Sequence, residues 1–385
     1  MELEYDFDAI RPYTDAEMQD ALKRAFSSEE LRSAIALLFP GQNVDDFYKY
    51  LTSLKTIHDL QEKVVGTFFL DLLKKNGSEI SISGLEGLDA DCKYLFISNH
   101  RDIILDAALL DTLMIKNGFD TAENAAGDNL ISKPWIMELM KLNKNFIVQR
   151  SGTKREIFEA SKRLSAYIRR NIVEGRNSVW IAQREGRAKD SNDRTQESVL
   201  KMFSMSGGKD LKQSFLELNI TPVSISYEYD SCDFLKAKEF QQKRDDADFV
   251  KSANDDVISM KTGIMGYKGL IHFEVNKPIN DILEREILDT DDRATILQKM
   301  AAIIDREIHA NYRIYPGNYI ALDELNGKSE YVGCKYTEKE KAAFDEYLAG
   351  QLAKIDLPNK DEAFLRERML TMYSNLLKNH LEAIR

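Results

Sequence analysis

The sequence predicts an α/β fold in which a mixed, largely parallel sheet is flanked by helices, with an N-terminal helical segment and a helical C-terminal tail. Two observations predict this fold. Short apolar runs typical of strands alternate with stretches of helical periodicity between residues 78 and 285. The residues on either side of this region show helical periodicity alone. We therefore expect an N-terminal helical segment at 1–77, an α/β domain at 78–285 and a C-terminal helical region at 286–385.

The N-terminal segment shows helical spacing from Thr14 to about Lys75. Two capping boxes, Thr14 with Glu17 and Ser27 with Glu30, indicate where helices begin. Apolar side chains recur three and four positions apart along these helices. We interpret the resulting stripes as core, with lipid binding as the less common alternative.

The central region contains five runs that are typical of strands. They are residues 93–98, 145–148, 178–182, 220–226 and 270–275. Helical patterns occupy 102–116 and 153–174, the second of which opens with a capping box. The stretch 230–261 is charged and short of large apolar residues, so we expect an insertion or a flexible loop there.

Composition and charge exclude several classes of protein. The chain has 385 residues and a formal net charge of −11, which disfavours binding to nucleic acid. Its three cysteines lie far apart without CxxC spacing, and its histidines show no metal-ligand spacing, so we predict neither a disulfide framework nor a metal site. The start of the chain lacks the features of a signal sequence, and no apolar run is long enough to span a bilayer. We expect a cytoplasmic location.

Polar residues follow three of the predicted strands, where they do not suit a core. They are residues 99–102, 149–150 and 183–187. In open α/β sheets, ligands bind beyond the carboxyl ends of the strands. We therefore expect these three turns to line one site.

The first of these turns carries a histidine with two carboxylates close by. His100 leaves a buried strand, and Asp102 and Asp106 follow within two helical turns. Histidine is a competent base near neutral pH, and a carboxylate on its other ring nitrogen stabilises the imidazolium. Such a base removes a proton from a bound alcohol, which can then attack a thioester carbonyl directly. The alternative is structural: His100 satisfies the strand end and Asp102 caps the next helix.

On these residues, the sequence resembles the glycerolipid acyltransferase family, which includes glycerol-3-phosphate and lysophosphatidate acyltransferases. Four blocks match in the family's order, at residues 98–101, 146–152, 180–189 and 220–224. The family usually has its carboxylate five positions after the histidine, whereas Asp106 stands six positions after His100. The resemblance therefore leaves Asp106 and Asp102 as alternative partners of the histidine.

The resemblance also implies a set of substrate-binding residues. They are Arg101, Arg150, Glu185, Gly186, Arg187 and Lys189. The arginine of the second block would bind the acceptor's phosphate, since a guanidinium can hold phosphate oxygens in pairs. In the third block the usual arginine position holds Ala188, which leaves Arg187 or Lys189 to supply the charge. Gly186 would allow close approach of the backbone, and Glu185 would hold an acceptor hydroxyl or brace the arginines.

The resemblance implies an enzyme that moves a fatty acyl group from acyl-CoA or an acyl-carrier protein to the hydroxyl of glycerol 3-phosphate or a lysophospholipid. His100 would be the general base, and no cofactor is needed. The N-terminal helices or the aromatic segment 311–320 would hold the acyl chain, and contact with the inner face of the cell membrane would be peripheral.

Two alternatives remain open: a non-catalytic lipid-binding protein of the same fold, and an acyltransferase with a non-phosphate acceptor. The catalytic loop of protein kinases also begins with His-Arg-Asp. A kinase is nevertheless excluded, because the glycine-rich loop and the other kinase motifs are missing.

Overall fold

The computed structural model describes residues 5–39 and 41–385. This part of the chain contains seven strands: β1 (Glu79–Ser83), β2 (Leu95–Ser98), β3 (Glu123–Gly127), β4 (Asn145–Val148), β5 (Val179–Ala182), β6 (Ile220–Tyr227) and β7 (Leu270–Val275). They form one sheet in the order β1-β7-β6-β2-β5-β3-β4. The strands β2 to β6 run parallel to one another, whereas β7 is antiparallel to β6 and pairs in parallel with β1. The predicted mixed, largely parallel sheet is confirmed.

Helices precede, interrupt and follow the sheet. They are α1 (Met18–Phe26), α2 (Glu29–Leu38), α3 (Val44–Ser53), α4 (Ile57–Leu60), α5 (Thr67–Lys75), α6 (Leu105–Lys116), α7 (Pro134–Leu142), α8 (Lys154–Val173), α9 (Glu197–Phe203), α10 (Leu211–Leu216), α11 (Asp233–Asp245), α12 (Ala253–Met265), α13 (Asn280–Glu286), α14 (Arg293–Ala310), α15 (Pro316–Asn326), α16 (Glu338–Ala353) and α17 (Glu362–Ala383). A π-helical stretch, Gln61–Gly66, joins α4 to α5. No helix in the described ranges has both the length and the apolar character needed to cross a bilayer.

The central strand β2 contributes to hydrophobic cores on both faces of the sheet, because successive side chains of a strand point in opposite directions. Leu95 and Ile97 pack on the face covered by α8 and α14. Phe96 packs on the face covered by α5 and α6. A strand buried on both faces has a continuous apolar sequence, which explains why β2 could be predicted.

Two strands, β1 and β3, are missing from the sequence prediction. The sequence of β3 is Glu-Asn-Ala-Ala-Gly, and none of these residues favours a strand. Contacts with distant residues hold it instead: Glu123 accepts hydrogen bonds from Asn171 (2.9 Å) and Asn177 (2.8 Å). Asn124 donates to Asp111 at 2.7 Å. Contacts of this kind leave no local pattern in the sequence.

The prediction of a flexible loop at 230–261 is wrong, because α11 and α12 occupy most of this stretch, whereas the alternative of an insertion stays a prediction. The charges that suggested a loop pair with one another in the folded chain. Lys236 is buried and forms an ion pair with Asp230. Lys243 lies 2.9 Å from Glu239, one helical turn away. The stretch is thus an ordered part of the fold, and α11 packs against α17 of the C-terminal region.

The N-terminal helices form a core of their own that includes Leu142 and the neighbouring side chains of α7. The capping box of Thr14 and Glu17 is present. In the second predicted box, Ser28 rather than Ser27 caps the helix. The division of the chain at 77 and 285 stays a prediction.

Candidate active site

The turn after β2 is fixed by Asn99, whose side chain extends the pairing of the sheet. Its amide nitrogen donates to the carbonyl of Ile225, and its amide oxygen accepts from the N–H of the same residue, both at 2.8 Å. The fully buried side-chain amide therefore pairs with β6 as the backbone of one further β2 residue would. This contact sets where His100 leaves the sheet.

His100 is held by Asp106, which lies in the first turn of α6. The Nδ1 atom of His100 is 2.8 Å from Oδ2 of Asp106. The same carboxylate accepts the N–H groups of Arg101 (2.6 Å) and Asp102 (3.0 Å), and the hydroxyl of Tyr227 donates to its other oxygen at 3.0 Å. Since Nδ1 faces the carboxylate, Nε2 is the nitrogen that remains for a substrate.

Asp102 has a structural position. Its Oδ1 atom accepts the N–H groups of Ile104 (3.0 Å) and Leu105 (2.9 Å) at the start of α6. Gly263 of α12 packs so closely that a Cβ atom there would lie 2.0 Å from Oδ2 of Asp102. Burial and the neighbouring Asp106 raise the pKa of Asp102. The geometry thus places Asp106, rather than Asp102, beside His100, and gives Asp102 the capping position described by the structural alternative.

A cavity of about 980 Å³ opens beside His100. Four other predicted residues line it as well: Arg150, Gly186, Arg187 and Lys189. Three turns that are distant in the sequence therefore meet at the carboxyl ends of β2, β4 and β5. The volume of the cavity is at the upper end of the range of about 300–1,000 Å³ for small-molecule sites.

Arg150 is exposed and lies over the end of β3. A Cβ atom at Gly127 would come within 2.6 Å of its Nε atom, so the absence of a side chain there makes room for the guanidinium. The backbone N–H of Arg150 donates to Asp128 at 3.2 Å. Within the described ranges, no carboxylate forms an ion pair with the guanidinium, which leaves its charge available to an anion.

The loop after β5 supplies two more cations. Gly186 has a φ of +67°, a left-handed conformation that favours glycine. Arg187 is buried, and its Nη1 atom has no hydrogen-bond partner among the described residues. Lys189 forms an ion pair of 2.8 Å with Glu239. Burial, and then the nearby charge of Arg187, lower the pKa of Lys189 to about 8.

Two predicted substrate-binding residues do not line the cavity. The guanidinium of Arg101 is buried and forms an ion pair with Asp193, which is buried in turn. This pair joins the histidine turn to the loop after β5. The side chain of Glu185 is exposed, and its backbone N–H donates to Gln196 at 2.8 Å. Arg101 is thus engaged inside the protein and Glu185 is exposed outside the cavity lining, and a substrate role for either residue stays a prediction.

Sequence reasoning also missed residues at this site. The ring of Trp180 meets the His100 ring edge-on at 5.7 Å, and its Nε1 atom donates to Ser98 at 3.0 Å. Trp180 lines the cavity. Tyr227 and Asp193 contact residues of the site: Tyr227 donates to Asp106, and Asp193 forms an ion pair with Arg101. A tryptophan in the middle of a buried strand has no signal that separates such a role from core packing.

Most of the cavity wall is apolar and comes from outside the sheet. The N-terminal helices contribute the largest share, including Leu22, Phe26, Leu31, Ile35, Phe47, Leu51, Val64, Phe68 and Phe69. Further apolar side chains come from α7 and α12, among them Ile136, Leu139, Met260 and Ile264. The N-terminal stripes are core, as interpreted, and also line the cavity. The segment 311–320 does not line it.

Comparison with known proteins gives a family for the central part of the chain. Residues 79–227 match the family model described as Acyltransferase. No curated protein matches the chain. One solved structure that is similar is the 1-acyl-sn-glycerophosphate (LPA) acyltransferase, PlsC, from Thermotoga maritima. Its identity is 10% and its TM-score 0.37 over 76% of this chain and 94% of that chain, a likeness too low to support either fold or function.

Proposed function

We propose that this chain, whose residues 79–227 match the Acyltransferase family model, transfers a fatty acyl group from a thioester to the hydroxyl of glycerol 3-phosphate or a lysophospholipid. One observation carries the proposal. The His100–Asp106 pair lies where a cationic end and an apolar wall meet in a single cavity. The acyl chain of a thioester needs an apolar wall, and the phosphate of the acceptor needs cations. The reaction requires both of them next to one base.

The proposed reaction uses His100 as general base. Its Nε2 atom takes the proton of the acceptor hydroxyl, and the carboxylate of Asp106 stabilises the imidazolium. The acceptor oxygen forms a bond with the thioester carbonyl carbon. When the tetrahedral intermediate collapses, the C–S bond breaks, and the imidazolium returns its proton to the leaving thiolate. An ester and a free thiol result, and His100 is regenerated.

The cationic end of the cavity fits the acceptor's phosphate. Arg150 offers a planar guanidinium with two parallel donors, and Arg187 has a buried nitrogen without a partner among the residues that the structure describes. Both line the same cavity as His100. A phosphate held by these groups positions the adjoining hydroxyl near the base, which lowers the entropic cost of the reaction.

The rim of the apolar wall supports peripheral contact with a lipid surface. Leu38, Val257 and Met265 line the cavity and still expose 47%, 46% and 49% of their surface. An apolar rim that continues into an apolar cavity lets an acyl chain pass between a bilayer and the protein without crossing water. We propose a cytoplasmic location with peripheral contact with the inner face of the membrane. Flotation with vesicles tests this contact. We expect V257S to bind the vesicles more weakly than the wild type does.

The proposed activity is tested by thiol release from hexadecanoyl-CoA with purified protein. Glycerol 3-phosphate, 1-acylglycerol 3-phosphate and glycerol serve as acceptors. Acceptor-dependent thiol release, with a phosphorylated acceptor used best, supports the proposal. Equal use of glycerol would favour a non-phosphate acceptor. Binding of the thioester without turnover for any acceptor would contradict the proposal and favour the lipid-binding alternative.

A further inference from the structure

A concentration of positive charge begins at Arg150 and continues along α8. Residues 150–170 contain seven Lys and Arg but two Glu, whereas the whole chain has a net charge of −11. We call the cations at its start the α8 cationic face: Arg150, Lys154, Arg155, Lys162 and Arg163. An acidic protein that collects positive charge on one helix has a surface suited to an acidic partner.

Most of this charge is not neutralised within the protein. Lys162 pairs with Glu159 at 3.1 Å. In the described part of the chain, no carboxylate lies within 4.0 Å of the charged groups of Arg150, Lys154, Arg155 or Arg163. The Nε atom of Arg163 is also buried, and 5–39 and 41–385 contain no hydrogen-bond partner for it. Lys154 and Arg155, which are exposed, therefore keep their charge for a partner outside the fold.

A large apolar side chain lies among the cations. Phe158 is 48% exposed, and the ammonium of Lys162 lies 4.4 Å from the centre of its ring. Lys154, Phe158 and Lys162 follow one another at four-residue spacing, so they share one side of the helix. An exposed aromatic ring beside charged groups offers an apolar contact with a polar rim, as protein interfaces do.

The α8 cationic face also has a definite place relative to the reaction. Its first member, Arg150, lines the cavity that contains His100. Thr153 and Glu156 form a capping box that fixes the start of α8 immediately after this arginine. A partner seated on α8 therefore lies beside the opening of the cavity.

We propose that the α8 cationic face docks an acidic carrier protein that bears the acyl group as a thioester, an inference that rests on the proposed function. The face is a convex helix, whereas sites for small molecules such as a nucleotide are concave. A carrier protein with an acidic helix complements both its charge and its exposed ring. Docking there lets a flexible prosthetic arm carry the thioester past Arg150 to His100.

The test measures binding of an acidic acyl-carrier protein, phosphopantetheinylated and loaded with a hexadecanoyl group, by calorimetry. The variant K154E/R155E reverses two charges in the first turn of α8, where acidic residues favour the helix, so the fold should persist. The control K74E/K75E makes the same change at the exposed end of α5. We expect K154E/R155E to weaken binding about ten-fold or more, and K74E/K75E about two-fold or less. Binding to the wild type should weaken with added salt.

The proposal is overturned if the wild type does not bind the carrier, or if both variants bind as the wild type does. It is also overturned if K154E/R155E lowers turnover of hexadecanoyl-CoA as much as it weakens carrier binding. The nucleotide part of CoA would then be what occupies the α8 cationic face. Turnover separates this inference from the proposed function. Charge-dependent binding without acyl transfer from either donor would refute the proposed function alone. Use of hexadecanoyl-CoA without carrier binding would refute the docking surface alone.

Discussion

The apolar end of the cavity and its charged end are assembled in different ways. Helices close together in the sequence form most of the apolar end, and many equivalent side chains share it. The charged end depends on a few groups, each fixed by specific contacts, such as the bond of 2.8 Å between His100 and Asp106. Apolar contact discriminates weakly, by about 1–3 kcal/mol per methylene, whereas a missing polar partner costs more. Changes at the charged end should therefore affect the reaction more strongly than changes at the apolar end.

The largest effect is expected from His100→Ala. Removal of the general base should lower kcat by about 10²–10⁴-fold. The thioester should still bind, because the apolar wall is unchanged. Steady-state thiol release measures kcat, and a thermal melt like that of the wild type shows that the fold is intact. If most of the activity remains, His100 is not the base.

The next effect separates the two aspartates. Asp106→Asn presents an amide to Nδ1 of His100 and to two backbone N–H groups, so kcat should fall about 10²-fold or more. Asp102→Asn is the matched control, because asparagine caps a helix about as well as aspartate. Its kcat should fall about ten-fold or less. The reverse order in the measured rates would make Asp102 the functional carboxylate.

A smaller effect is expected at the phosphate. Arg150→Ala should raise KM for a phosphorylated acceptor about 10–100-fold, the cost of a lost hydrogen bond to a charged group. Arg150→Lys should recover part of the affinity, because it keeps the charge but loses the paired donors. Glycerol is the control acceptor, and its KM should change little. An equal change in KM for glycerol would mean that Arg150 does not bind the phosphate.

The apolar end should respond through chain length. Ala34 lines the cavity, whereas Ala36 is exposed on the same helix. Ala34→Trp should shift the ratio of kcat/KM for hexadecanoyl-CoA to that for octanoyl-CoA towards the shorter chain, by about ten-fold. Ala36→Trp provides the control and should keep the wild-type ratio. A similar shift in both variants would show that the cavity does not determine the chain-length preference.

The smallest effect is a pH dependence at Lys189. Its pKa is lowered to about 8, so the ammonium loses its proton as the pH rises through this value. The neutral amine binds phosphate less well, and KM for a phosphorylated acceptor should therefore rise about three-fold above pH 8. Lys189→Arg stays charged, and its KM should stay flat over the same range. The same rise in both proteins would assign it to another group.

Prediction from sequence succeeded where local patterns carry the information. The buried strand β2, the turn at His100 and the convergence of Arg150 and Arg187 follow from apolar runs and from their ends. The choice between Asp102 and Asp106 could not be made, because both follow the histidine within two helical turns and the difference lies in side-chain direction.

Residues adjacent to a motif were harder to predict than the motif itself. Arg101 follows His100 in the sequence, yet it forms a buried ion pair with Asp193 while the histidine lines the cavity. Gly186 likewise lines the cavity, whereas the preceding Glu185 does not. In extended or tightly turning backbone, neighbouring side chains point in different directions, so membership of a block does not place a side chain in the site. The support from Asp193 and Tyr227 depends on contacts across the fold.

The central claim is that one cavity holds the acyl chain against the N-terminal helices while His100 faces the thioester. Photolabelling with a hexadecanoyl-CoA that carries a terminal diazirine, followed by peptide mapping, tests it most directly. The account predicts label in the peptides of α1 to α5 and α7, with protection by unlabelled hexadecanoyl-CoA. Protectable label confined to the C-terminal helices between 316 and 383 would contradict it.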